Sequence, residues 1–181
     1  MPAREEPGPL GAWLFRHRGW LPVPLALAQL LLTEASHPAG LALILAGEGV
    51  RVAAAGHIGR PSRTRDASVG ALVDEGPYAR LRNPLYVGNI AMAAGFGWLA
   101  SPWLGLGWLG LSSLFYAVVV RWEEGRLLQE HGVAYRAYCQ RVPRWLPLGA
   151  ARAGDFSLRK ALRSERGTLL VWTAVLVLSQ L

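Results

Sequence analysis

Long apolar runs alternate with polar, arginine-bearing stretches along this chain, and the alternation predicts an all-α protein that crosses a bilayer several times. The first apolar run starts at Trp13 and is interrupted by Arg16, His17, Arg18, Pro22 and Pro24. It predicts a spanning helix over about Trp20–Thr33, with Arg16 and Arg18 held at the interface. The second run, roughly Ala39–Ala55, contains Glu48 and Arg51 at helical i, i+3 spacing; Arg51 is expected to pair with Glu48 and snorkel toward the nearer surface. Leu85–Ala100 and Trp103–Val120 predict a helical hairpin broken at Ser101-Pro102 and closed by small residues such as Ala91 and Gly95. The last run, Gly167–Leu181, reaches only about 22 Å as a helix, short for a hydrocarbon core of ~30 Å. Residues 1–12, rich in Pro and Gly, read as disordered or surface-lying, and Phe156–Arg166 as a surface-lying lead into the last run.

Charge sets the orientation. The chain has 181 residues and a net charge of +7, carried almost wholly by arginine, with Lys160 the single lysine. The arginines flank apolar runs, which is the pattern of membrane topology rather than of nucleic-acid binding. With about five spans, every basic segment falls on one side. This predicts a cytoplasmic N-terminus in a bacterial inner membrane, with the lipid bilayer as the constant partner. The single cysteine, Cys139, excludes an internal disulfide, and the four histidines show no metal-ligand spacing. Gly105 to Gly110 spells G-x-G-x-x-G, but it lies inside an apolar run with no strand before it, so helix packing accounts for it better than a dinucleotide. Nothing in the pattern specifies an oligomeric state. The chain reads as one domain, with spans and a basic loop over 1–69, a chemistry-bearing half over 70–147, and an amphipathic lead with the last span over 148–181.

Candidate chemistry gathers where polar segments meet the hairpin. Asn83-Pro84 is a ready helix start, since Asn caps free N–H groups and Pro suits the first helical position. Around it lie Tyr78, Arg80, Arg82 and Tyr86, and the hairpin returns Glu123 and Glu124 to the same membrane face. Tyr135 and Tyr138 follow at helical spacing and can close an apolar wall with a hydroxyl rim. Two adjacent carboxylates at the end of a span need cations, which Arg121, Arg126 or a cationic ligand would supply. On the residues alone, an interfacial charge cluster with belt aromatics accounts for this region equally well.

The spaced motifs Gly76-Pro77-Tyr78, Arg82-Asn83-Pro84 with Tyr86 and Gly88, Glu123-Glu124 with Leu127, Gly132 with Tyr135 and Tyr138, and Arg141-Val142-Pro143 with Pro147 resemble the isoprenylcysteine carboxyl methyltransferase family and the similar phospholipid N-methyltransferases. The resemblance covers about residues 70–147. It implies an all-helical membrane enzyme that binds S-adenosyl-L-methionine in a pocket at the cytosolic face and methylates a lipophilic acceptor, a prenylcysteine carboxylate or a phospholipid amine. It implies cofactor contacts at Gly70, Ala71, Leu72, Val73, Tyr78, Arg82, Asn83, Pro84, Leu85, Tyr86 and Glu123. Glu124 or Tyr86 would serve as a base for an amine acceptor. Two positions depart from the family pattern: Asn83 stands where most eukaryotic members carry His, and Val119 stands where an arginine meets the acceptor carboxylate, with Arg121 the nearest substitute. Two other readings compete, an NADPH-dependent reductase of the sterol reductase kind and a non-catalytic protein whose arginine face binds anionic lipid.

Overall fold

The computed structural model describes residues 9–18, 37–58 and 72–178, and these form six helices with no strand among them. They are α1 (Pro9–His17), α2 (Pro38–Ile58), α3 (Pro77–Arg80), α4 (Pro84–Ala100), α5 (Pro102–Arg141) and α6 (Leu158–Leu178). Five of the six begin on proline, whose fixed φ suits the first helical position and whose missing N–H is one the helix would leave unpaired anyway. The sixth begins after Ser157, whose hydroxyl accepts from the Lys160 N–H at 3.4 Å. Residues 9–12, read from sequence as disordered or surface-lying, belong to α1. The expected span Trp20–Thr33 lies outside the described residues.

Of the described helices, α2 and α5 are long and apolar enough to cross a membrane. At 1.5 Å per residue, α2 reaches about 31 Å, one hydrocarbon thickness. The predicted hairpin is present: α4 ends at Ala100, and Ser101 caps α5 by accepting from the Leu104 N–H at 3.2 Å. His37 N–H donates to Leu99 O at 3.3 Å, so the start of α2 meets the end of α4. At the opposite end Ser157 N–H donates to Gly56 O at 3.1 Å, so α6 departs from where α2 finishes. The start of α4 and the polar part of α5 lie toward that same end.

Helices α2 and α4 run against each other with almost no side chain between them. A Cβ on Gly40 would lie 2.7 Å from Gly95 O, and one on Gly47 would lie 2.7 Å from Gly88 O. The two contacts are seven residues apart on each helix, two full turns, so the same face is used twice in an antiparallel register. This revises the expected role of Gly95, which faces α2 rather than closing the hairpin. The hairpin is closed by Gly97 against Leu104 and by Gly105 against Trp98. Gly107 and Gly110 have open space around them, so helix packing explains only the first glycine of the G-x-G-x-x-G run.

Arg51 does not snorkel. Its side chain is about one-tenth exposed; it lies 3.5 Å from Glu48 Oε2 and donates to Glu165 Oε2 on α6 at 2.5 Å. It also donates to Asn89 on α4, and Asn89 hydrogen-bonds the phenol of Tyr116 on α5. One guanidinium therefore ties four helices at a single level. Glu165 is fully buried together with its neighbours Ala161 and Ser164. This also corrects the reading of Phe156–Arg166 as a surface lead: α6 begins at Leu158, about two and a half turns before Gly167, and its first turns pack on α2. Removing one partner of a buried ion pair leaves an uncompensated charge, so Glu165→Ala is expected to lower unfolding free energy by about 3 kcal/mol. Detergent-titrated unfolding of the purified protein measures this, and an unchanged midpoint would mean that Arg51 finds other compensation.

Candidate functional site

The site is built from three segments that the fold brings to one end: the turn 72–83 with the start of α4, the polar half of α5, and the strap 142–152. Helix α5 is the frame. It continues past Val120 to Gly132, where φ 53 and ψ −116 turn the chain, and it resumes to Arg141. A positive φ of this kind suits glycine, which has no Cβ to clash. The turn carries Tyr135 and Tyr138 back onto Leu72 and Leu127, and the Tyr138 hydroxyl donates to Tyr78 O at 2.8 Å.

Glu124 is the centre. Its carboxylate is buried, and Arg144 donates to Oε2 through Nη2 at 2.6 Å and Nε at 3.0 Å. Arg82 Nη1 reaches the same oxygen at 3.4 Å, and Asn83 Nδ2 donates to Oε1 at 3.2 Å. The cations on Glu124 are therefore Arg82 and Arg144, not the Arg121 or Arg126 expected from sequence. Arg121 is exposed and has no ion-pair partner among the described residues, because Glu124 faces the first turn of α4, where guanidinium groups from other segments already converge. The Glu124 hydrogen bond, above all, raises the Arg144 guanidinium above its ordinary range, so it stays charged. Asn83 does occupy the position before α4, but its side chain makes no cap bond there. Its amide is spent on Glu124 and on Arg144 O at 3.3 Å.

Backbone bonds close the strap over this knot. Arg82 N–H donates to Pro143 O and Gly149 N–H donates to Arg80 O, both at 2.9 Å. Further out, Arg141 and Arg152 both donate to Asp74 Oδ2, at 3.3 and 2.9 Å. Arg82 Nη1 also lies 2.7 Å from Cys139 Sγ.

Glu123, one residue away, faces a different neighbourhood. Its Oε2 accepts from the Tyr86 hydroxyl at 2.6 Å. The Tyr86 ring lies 5.1 Å from that of Tyr116, and Phe15 of α1 lies 4.4 Å from Trp122. These rings, with Trp145 of the strap packed against them, make an aromatic wall beside the carboxylate. Nearby, two polar atoms are buried without a hydrogen-bond partner among the described residues: the Tyr78 hydroxyl and Arg82 Nε. Burial, and then the proximity of Glu123, push the Tyr78 phenol well above its ordinary range, so it persists as a neutral donor. Buried polar groups are normally paired, so each of these unsatisfied donors marks a place for ligand atoms.

A model of the phospholipid methyltransferase family matches residues 35–132, just over half of the chain. The chain belongs to this family. No curated protein and no solved structure gives a further match. The family's members are methyltransferases, and with two helices able to span a bilayer the protein is a membrane methyltransferase. Most of the residues named from sequence lie at one end of this methyltransferase. Tyr78, Arg82, Asn83, Pro84, Tyr86, Glu123 and Glu124 adjoin one another, and Leu72 packs against Tyr135 and Tyr138. Val73 and Leu85 are half-buried in the same segments. Gly70 and Ala71 lie outside the described residues. Arg144 is a site residue not named from sequence, although it lies between Pro143 and Pro147 of the motif Arg141-Val142-Pro143 with Pro147; an arginine between two prolines of a spaced motif was the available signal.

Replacing Glu124 by Gln removes the charge that holds both arginines, so the strap should loosen. Hydrogen exchange is expected to speed at least tenfold at the amides of Arg82 and Gly149. Unchanged protection at both amides would show that the backbone bonds hold the strap without the knot.

Proposed function

We propose that this chain transfers the methyl group of S-adenosyl-L-methionine to the amine of a phospholipid headgroup at the cytosolic face of the bilayer. The observation that carries the reading is the Glu123 carboxylate, held by the Tyr86 hydroxyl against an aromatic wall, while the neighbouring guanidinium groups of Arg82 and Arg144 are already engaged by Glu124. A cationic ammonium is attracted by such a carboxylate and by ring faces; a carboxylate acceptor would meet repulsion from Glu123 and find both guanidiniums occupied. The exposed position of Arg121 and the apolar Val119 also disfavour a prenylcysteine carboxylate.

The residues fit the cofactor. The unpartnered Tyr78 hydroxyl and Arg82 Nε offer donors to its polar atoms, the helix start at Pro84 suits its carboxylate, and Leu72, Val73 and Leu85 supply apolar surface. When bound, S-adenosylmethionine supplies an electrophilic methyl on a sulfonium leaving group. The protein's task is then alignment, exclusion of water and removal of one proton. The acceptor ammonium must lose a proton before its nitrogen attacks. Glu123 is the group to take it, rather than Glu124, whose oxygens accept from four donors on three residues, or Tyr86, which donates its own proton to Glu123. The Trp145 side of the strap and the Tyr86–Tyr116 pair keep water from that carboxylate.

Incubation with methyl-labelled S-adenosylmethionine and vesicles holding either phosphatidylethanolamine or a prenylcysteine tests the assignment. Label is expected in the phosphatidylethanolamine alone. Glu123→Gln should lower kcat/KM by about 100-fold and Tyr86→Phe by about tenfold, with S-adenosylhomocysteine still bound. Absence of S-adenosylhomocysteine binding by the folded wild-type protein would overturn the reading.

A further inference from the structure

Most arginines in the core and in the strap of this protein have a carboxylate: Arg51 has Glu48 and Glu165, Arg82 and Arg144 share Glu124, and Arg141 and Arg152 share Asp74. The first turns of α6 differ. Arg159, Lys160, Arg163 and Arg166 are exposed, and none of their side chains has a hydrogen bond or ion pair among the described residues. Their placement is regular. Ala161, Ser164 and Glu165 form the buried stripe of α6 against α2. With 3.6 residues per turn, Arg159, Arg163 and Arg166 fall on the opposite side, in one line over two turns. Lys160 lies on one flank and Leu158 and Leu162 on the other, both leucines about half exposed. The line ends at Leu170, 70% exposed, and from there the sequence of the helix is apolar apart from Thr173.

We infer that this outward stripe is a docking site for anionic phospholipid headgroups. Three guanidinium groups spaced over about 10 Å along the helix match the depth of a headgroup layer, where bidentate hydrogen bonds to phosphate oxygens are available. Exposed leucines in register with the cations favour a lipid surface over a soluble polyanion, since they would be left in water against nucleic acid or inorganic phosphate. The stripe lies outside the matched family region and on the face of α6 opposite the Glu165 that meets Arg51, so it concerns binding to the bilayer and not methyl transfer. It is independent of the proposed reaction.

The test uses the purified full-length chain in neutral detergent micelles doped with phosphatidylglycerol or, separately, phosphatidylcholine, with the thermal unfolding midpoint as readout. Phosphatidylglycerol is expected to raise the midpoint above the phosphatidylcholine value in a saturable way, with the difference shrinking between 50 and 500 mM salt. Each of Arg159→Gln, Arg163→Gln and Arg166→Gln should raise the half-saturating mole fraction about fivefold. The triple variant should lose the difference while keeping the midpoint it has in phosphatidylcholine. Arg136→Gln, an exposed arginine elsewhere, should leave the difference in place. The inference is overturned by equal midpoints in the two lipids, by a triple variant that keeps the whole difference, or by inorganic phosphate reproducing it at equal concentration.

Discussion

A buried carboxylate without partners is costly, and Glu124 imposes that constraint on everything around it. Its position on α5 is fixed by the hairpin. Its partners come from the residues before α4 and from the strap, more than forty residues upstream and twenty downstream in sequence. Satisfying one carboxylate therefore brings three segments to one place and fixes the rotamer of Asn83, which is drawn away from capping. The strap's backbone bonds to Arg80 and Arg82 follow from the same docking. With Glu124 so occupied, its neighbour Glu123 is left to accept from Tyr86 beside the aromatic wall.

Arg51 plays the corresponding part deeper in the helix layer. Two features let it do so: the glycine contacts that bring α2 and α4 close, and the arrival of Glu165 from α6. Pairs of this kind contribute less to stability than their geometry suggests, because desolvation offsets the attraction. Their effect is to single out one arrangement, since sliding α6 by a turn would part Glu165 from Arg51 and leave that carboxylate in an apolar layer. The link from Arg51 through Asn89 to Tyr116 also sets the ring on which Tyr86 rests.

What the sequence makes legible here is local chemistry. Proline at helix starts, the break at Ser101-Pro102 and the apolar runs for α2, α4 and α5 all encode short-range preferences, and the elements formed where they indicated. The spaced motifs around Tyr78, Asn83, Tyr86 and Glu123 pointed to a family whose match the chain carries. Choices made at long range were not legible. Nothing near Glu124 says that Arg144 rather than Arg121 will reach it, because the three-residue spacing of Arg121 looks as favourable as any. Nothing near Arg51 announces a partner 114 residues away. Gly95 was assigned to the wrong neighbour for the same reason: a small residue permits close approach without naming what approaches. Phe156–Arg166 misled because its cations face outward while a single inward glutamate decides its place.

Helix α5 also acts as a ruler. Glu124 lies 22 residues after Pro102, about 33 Å along the axis, or one hydrocarbon thickness. A lipid headgroup can therefore arrive at that level with its tails still in the bilayer. Lifting acyl chains into water would cost about 0.8 kcal/mol for each methylene exposed, and an enzyme built to this length meets none of that cost. A lipid whose headgroup lies at that level keeps its tails in hydrocarbon whatever their length.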